Sequence, residues 1–364
     1  MKLNIGENIK KLRKEKDITQ EDLSEILGVS FQSVSRWENG TCYPDMELLP
    51  VLADFFKVTV DKLLGVDESI EKANVEKYLD RFQDAISHGR VYDCIDIARE
   101  GVAEYPNNYA LLNKLMYALF LSGDEDGDIP EWKENMRKYD AEITALGERI
   151  MKYCPDQDIR LEATARLAFN HCEMGRRKIG RAIYETLPSA EQCREQQMWW
   201  SLTDDEKLPF TRERILRGYD ILSAGMYSLL CYEMLPDEDL LKVFEKRLAL
   251  DKLIYDGNKP DGNWGNARFH CNYARLYIRL GRLDEAIKQL KIAAKCAGSF
   301  DNRPDEYTIS TLLLGDIAEK KEDFETSDSR SLKEIMRDKW LGDDDFDRIR
   351  NSNEFREITE ALSK

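Results

Sequence analysis

The sequence has no CxxC pair, no glycine-rich phosphate loop ending in Lys and Ser/Thr, and no GxSxG elbow. Its three histidines, His88, His171 and His270, are not followed by the glutamate of a zinc-protease helix. Nothing here points to an enzyme, and neither a cofactor nor a metal is expected. His171–Cys172 and His270–Cys271 are adjacent pairs, but neighbours on a helix diverge by about 100° and make no natural chelate. The eight cysteines are scattered along the chain and read as reduced, mostly buried thiols. No run approaches the roughly 18 apolar residues of a membrane span. The segment MKLNIGENIK lacks the apolar stretch of a signal peptide. A cytoplasmic protein with no membrane partner is expected.

Positive charge is also in short supply. The 364 residues hold 54 Lys and Arg against 70 Asp and Glu, a net charge of −16. At this length at least two domains are expected, and an apolar fraction of 42% suits a folded chain.

What is present begins with residues 20–39, QEDLSEILGVSFQSVSRWEN. Thr19 and Asp22 form a capping-box pattern, and Leu23, Ile26 and Leu27 follow at helical spacing. Gly28 supplies the backbone freedom to end that helix. Ser30 can cap the next one, which runs to Asn39 and Gly40. A short helix, a tight turn and a second short helix form the unit that lays its second helix in the DNA major groove. At 100° per residue, Val34, Trp37 and Glu38 share the inward side. Gln32, Ser35, Arg36 and Asn39 share the outward side, with Phe31 at the border. Gln pairs with adenine and Arg with guanine through two hydrogen bonds each. The same residues are also common on an ordinary polar helix surface, so the helix alone leaves both readings open.

The flanks decide. IKKLRKEKDITQEDLSEILGVSFQSVSRWENGTCYPDMELLPVLADFFKVTVDKLLG resembles the Cro/lambda-repressor-like (XRE-type) helix-turn-helix family over residues 5–66. The resemblance implies five helices, with Ile5, Ile9 and Leu12 inward on the first. It implies Asp45 as cap of the fourth, which buries Leu48, Leu49, Leu52 and Phe56. Thr59 would cap the fifth, and Leu63 and Leu64 would close the core. Residues matching Gln20, Ser30, Phe31, Gln32 and Arg36 face DNA in that family, and those matching Arg13 and Glu38 pair. Pro50 should bend or shorten the first turns of the fourth helix. Residues 1–66 carry 9 basic and 11 acidic side chains, a net of −2, which leaves −14 for the rest. Lys10, Lys11, Arg13, Lys14 and Lys16 gather near the end of the first helix. Lys10 and Lys14 read as phosphate contacts, and DNA contact should be confined to this first domain.

Residues 67–74, DESIEKAN, form a polar joint compatible with helix. Beyond it the chain reads as helix after helix with no alternating strand pattern, giving an all-α protein: a DNA-binding domain at 1–66 and a helical repeat domain at 75–364. Gly89 and Gly123 lie one repeat length apart, and each ends a helical run. Tyr105-Pro106 and Cys154-Pro155 close the first two units, the second after the acidic insertion DEDGDIPEW. Residues 267–298 carry Ala274, Tyr277, Gly281, Ala286 and Ala293 and resemble a tetratricopeptide repeat; a weaker copy spans 161–187. The resemblance implies paired helices stacked into a solenoid, with long irregular helices near 212–233 and 237–255. Trp340, Phe346, Ile349 and Phe355 would cap its last apolar face, and Asp343–Asp345 would be a solvated loop.

Fused helix-turn-helix and tetratricopeptide regions resemble bacterial regulators that bind short signalling peptides on the concave face. Asn113, Tyr117, Arg268, Asn272 and Arg275 fall on first helices of repeat units and are the effector-binding candidates, with ordinary solvated residues as the alternative. A single helix-turn-helix domain reads few base pairs. A homodimer held by residues 75–364 on a palindromic double-stranded operator is therefore expected. The rival reading is an antitoxin-like interaction protein whose repeats grip a protein partner.

Overall fold

The structure is a computed structural model and describes residues 5–65, 68–257, 259 and 264–363. By contact the chain divides into two compact units. One comprises Met1–Phe82 with Ile95–Leu115, the other Gln83–Cys94 with Met116–Lys364.

Five helices open the first unit: α1 (Ile5–Glu15), α2 (Gln20–Leu27), α3 (Phe31–Glu38), α4 (Leu48–Phe56) and α5 (Val60–Leu64). The caps form as the residue pattern requires. Thr19 Oγ1 accepts from the Asp22 amide while Asp22 Oδ2 accepts from the Thr19 amide. Ser30 Oγ accepts from the Ser33 amide, and Thr59 Oγ1 from the Lys62 amide. Gly28 ends α2 in the left-handed region at φ 66°. Ile5, Ile9, Leu23, Val34, Trp37, Leu52, Phe56 and Leu63 are buried together, with Leu12, Leu48, Leu49 and Leu64 at the edge of that core.

The expected cap at Asp45 is not formed. Helix α4 starts at Leu48, its N-cap is Glu47, and no side chain caps it. Instead the Asp45 carbonyl accepts from the Leu48 amide in a turn. This start places Pro50 in the first turn, where its missing amide would have had no intrahelical partner. Pro50 therefore shortens the helix.

Val66 and Asp67 lie outside the described residues; the rest of the joint is already helix, the opening of α6 (Glu68–Ser87). Then come α7 (Val91–Glu104), α8 (Tyr109–Leu121), α9 (Trp132–Tyr153), α10 (Gln157–Glu173) and α11 (Arg177–Tyr184). After the short α12 (Arg194–Gln197) run α13 (Asp204–Cys231), α14 (Asp237–Ile254), α15 (Trp264–Arg279) and α16 (Leu283–Asp301). Among these, α15 and α16 pack most extensively. Ala267, Ala274, Ala286, Ala293 and Ala297 show no exposure between them, because a methyl group is all the close approach leaves room for.

Gly89 and Gly123 share a spacing and, in part, a reason. A Cβ on Gly123 would stand 3.0 Å from Met136 Cα, and one on Gly89 2.5 Å from the Asp328 carbonyl carbon. Gly89 also adopts φ 67° at a turn, so it supplies conformation as well as closeness.

Among the described residues the all-α reading holds except for one hairpin. β1 (Glu306–Thr311) pairs antiparallel with β2 (Gly315–Lys320), Ile309 opposite Ile317. The Leu312–Leu314 run between them disguised the alternation. Leu314 and Ile317 pack with Tyr219 and Ile254 of α13 and α14, so the hairpin covers an otherwise open helix pair.

The end of the chain, α17 (Leu332–Ile335), a π-turn at Met336–Trp340, α18 (Asp347–Arg350) and α19 (Asn353–Ala361), buries Trp340, Phe346, Ile349 and Phe355. It does more than cap. Ser327 Oγ donates to Asp124 at 2.6 Å, Lys339 Nζ to the Glu125 carbonyl at 2.8 Å, and Gln83 Nε2 to the Glu322 carbonyl at 2.9 Å. Residues over 200 positions apart therefore touch within the second unit, which a strictly nearest-neighbour solenoid would not allow. The acidic insertion at 124–132 is the receiving side of that contact. Four cysteines, Cys94, Cys154, Cys271 and Cys296, are buried; Cys42 and Cys231 are exposed. The expectation of mostly buried thiols therefore holds for only half of them.

The tightest approach in the first domain generates a prediction. A Cβ on Gly6 would lie 2.1 Å from the Trp37 carbonyl oxygen, a backbone atom that cannot swing aside. Gly6→Ala is expected to cost at least about 1–3 kcal/mol by overpacking, although alanine is the better helix former. Equal or higher stability in denaturant melts would show that α1 and α3 are not held at this distance.

Candidate nucleic-acid interface and effector cavity

The DNA-facing candidates are arranged around one buried carboxylate. Glu38, at the end of α3, has no side-chain exposure and receives two bonds from Arg13 of α1, Nε to Oε1 at 2.6 Å and Nη2 to Oε2 at 2.9 Å. Gln20 of α2 adds a third, Nε2 to Oε2 at 2.7 Å. Arg13 Nη1 donates to the Ile18 carbonyl at 2.7 Å, which also holds the α1–α2 turn. Burial alone would raise the Glu38 carboxyl, but the bonds from Arg13 and Gln20, with charge from Arg13 and Lys10, outweigh it. The group stays below its ordinary value. The expected Arg13–Glu38 pair is present, and Gln20, expected at the DNA, spends its amide bracing that pair.

The clamp fixes which face of α3 is turned out. Ser30, Phe31, Gln32, Arg36 and Asn39 are exposed, and Ser35 is half-buried. Ser30 and Ser33 share a hydroxyl contact, and Asn39 Nδ2 reaches Ser35 Oγ at 3.4 Å. Gln32 and Arg36 stand one turn apart and make no side-chain bond among the described residues. Phe31 is 46% exposed beside them. Lys10 and Lys14 are exposed on α1, where flexible ammonium groups suit phosphate.

Residues 9–63 match the family model described as Helix-turn-helix. These residues form a helix-turn-helix domain. Similar curated proteins include the HTH-type transcriptional activator BcrR of Enterococcus faecalis, 43% identical over 74 residues, 20% of this chain and 36% of BcrR. Antitoxin PezA of Streptococcus pneumoniae is 40% identical over 74 residues, 20% of this chain and 46% of PezA. The chain thus spans less than half the length of either relative. Among solved structures, Bacillus thuringiensis PlcR, in complex with the peptide PapR7 and DNA, has a TM-score of 0.35 at 16% identity. That match covers 81% of this chain and 94% of PlcR.

The effector candidates divide. Asn113 is buried, at 5% exposure, so its side chain is not offered to a ligand. Tyr117 donates to Glu325 Oε2 at 2.8 Å beneath the Arg166 guanidinium, and burial pushes its hydroxyl well above the ordinary tyrosine value. Arg268, Asn272 and Arg275 do come together, on successive turns of α15 lining one cavity of about 220 Å³ with Leu240 and Phe244 of α14. Arg279 extends that row; its signal was the same helical spacing. Asp343 and Asp345 are exposed, as expected of a solvated loop, and also stand against Arg275 at 3.0 and 3.2 Å. No sequence signal pairs an arginine with aspartates some seventy residues away.

The Glu38 clamp carries a pH signature. Its folded-state value lies below the unfolded one, near 4.5. Its contribution is therefore complete above about 4.5 and is lost as pH falls through the lower folded value. Relative to Glu38→Gln, the native chain is expected to lose stability more steeply in that acid window. Arg13→Ala should cost about 3–5 kcal/mol, because it leaves the buried Glu38 carboxylate without its cation. Parallel acid limbs for native and Glu38→Gln melts would remove the clamp from the account.

Proposed function

We propose that the chain is a sequence-specific DNA-binding transcriptional regulator, homodimeric on a palindromic operator, with helical repeats that take a short peptide effector. The reading rests above all on Gln32 and Arg36, which are exposed one turn apart on α3 while the polar groups around them are engaged within the domain. Arg36 is the guanine reader and Gln32 the adenine reader. Phe31 is set for a thymine methyl. Ser30, Ser35, Asn39 and the free face of Gln20 border the same surface, and Lys10 and Lys14 take phosphates. Residues 1–66 form the reading head, and residues 75–364 provide the dimer contact and the effector cavity at Arg268, Asn272 and Arg275. The acidic balance of that larger part keeps DNA on the first domain.

Anisotropy titrations on selected and random duplexes test this reading. Gln32→Ala and Arg36→Ala are each expected to cost about 1–3 kcal/mol on the selected site and to relax base preference there. Lys10→Ala or Lys14→Ala should weaken all sequences alike and reduce the salt slope by about 1. Equal losses on selected and random DNA would remove Gln32 and Arg36 as base readers. Sedimentation of the full chain should give a dimer, with half-sites about 34 Å apart or a multiple of that spacing; a monomer on DNA would end the palindromic model.

A further inference from the structure

We infer that the Asp343–Asp345 loop is a built-in stand-in for the effector's carboxylate, and that the effector is a short peptide captured at Arg275 by its free C-terminus. This deepens the peptide-effector reading and rests on it. The Arg275 side chain is 16% exposed, whereas Asp343 and Asp345 are 48% and 52% exposed. The cation is thus built into the wall and its acids approach from the water side, where ion pairs hold weakly.

The present occupants also fit imperfectly. Arg275 Nη1 donates to Asn272 Oδ1 and Nη2 to Asp343 Oδ2, each at 3.0 Å. Its Nε, though 3.2 Å from Asp345, is a buried donor with no acceptor among the described residues. A carboxylate presented in the guanidinium plane would take that N–H and a terminal N–H together. Arg268 lines the same cavity, its guanidinium 4.9 Å from the Trp340 ring and without a carboxylate partner among the described residues. Its polar contact is with the Tyr227 hydroxyl, so the only acids lining the cavity, Glu233 and Asp345, are set against Arg279 and Arg275 instead. Arg279, by contrast, is already matched by Glu233 and Asp237.

The cavity's size and floor select the end of a chain. About 220 Å³ is below the roughly 300–1,000 Å³ of pockets that enclose whole ligands. Leu240 and Phe244 offer an apolar seat for a terminal side chain, and the Asn272 amide can bond the peptide backbone. Displacement would be felt along the tail, because Arg275 Nη2 also reaches the Trp340 carbonyl at 3.4 Å. Trp340 directly follows Lys339, which bonds the Glu125 carbonyl.

The test uses the full chain, native and D343N/D345N, with native mass spectrometry of three probes. These are a pool of short random peptides with free C-terminal acids, the same pool amidated, and octanoate. The variant is expected to retain the acid pool at least about tenfold better than the native chain, to show no gain for the amidated pool, and to ignore octanoate. R275Q should abolish acid-pool retention, whether introduced alone or into D343N/D345N. Should the double variant fail to fold, D343N and D345N singly are expected to give smaller gains in the same direction. Peptides retained with equal gains for acid and amide, or with no gain on removing the aspartates, overturn the stand-in and leave the peptide-effector reading. Retention of no peptide by either chain overturns both. Octanoate held as well as the acid pool overturns the peptide assignment in favour of small acids.

Discussion

The first domain depends on a carboxylate that cannot reach water. Glu38 has no side-chain exposure, and leaving such a charge unpaired would be strongly destabilising. Its two partners come from different helices, Arg13 from α1 and Gln20 from α2, so satisfying one charge orients three helices at once. The same meeting point requires Gly6, because the Trp37 carbonyl one residue before Glu38 occupies the space a side chain would need. Once α3 is held by Trp37 and Glu38 on one side, Gln32 and Arg36 can only be on the other. The presentation of the outward face of α3 follows from electrostatics in the core.

Beyond the first domain the acidic excess is used in a different way. The net −14 of residues 67–364 could be a solvated surface and nothing more. Many of the aspartates there, however, receive a specific donor: Asp124 from Ser327, Asp140 from Arg176, Asp251 from Lys259, and Asp343 from Arg275. Several of these bonds join distant parts of the sequence, which ties helical pairs together beyond their nearest neighbours. Alanines bring α15 and α16 close, and the acids then fix what the close packing leaves at the edges.

The residue pattern by itself determined the local structure of the first domain. Thr19, Ser30 and Thr59 cap, Gly28 turns, and Leu23 and Val34 face inward, because capping and periodicity act within a few residues of one another. It also determined the close helix pair within 267–298, since small residues at fixed spacing serve one purpose in any helix pair. Near Asp45 the same reasoning failed. The start of α4 was decided by where Pro50 could be tolerated, not by the nearest good capping side chain.

Only the tertiary structure decided the rest, because the deciding contacts span long intervals of sequence. Nothing in a period of 3.6 residues relates Ser327 to Asp124, or Arg275 to Asp343 and Asp345. Alternation in 306–320 was masked by three leucines, and the hairpin exists because α13 and α14 leave Tyr219 and Ile254 to be covered. Which effector candidates could meet a ligand was likewise a question of burial. Asn113 and Asn272 both read from sequence as polar residues on first helices, but the packed structure buries the first and leaves the second lining a cavity. Sequence spacing sets which residues share a helix face; what that face meets depends on which other segments fold against it.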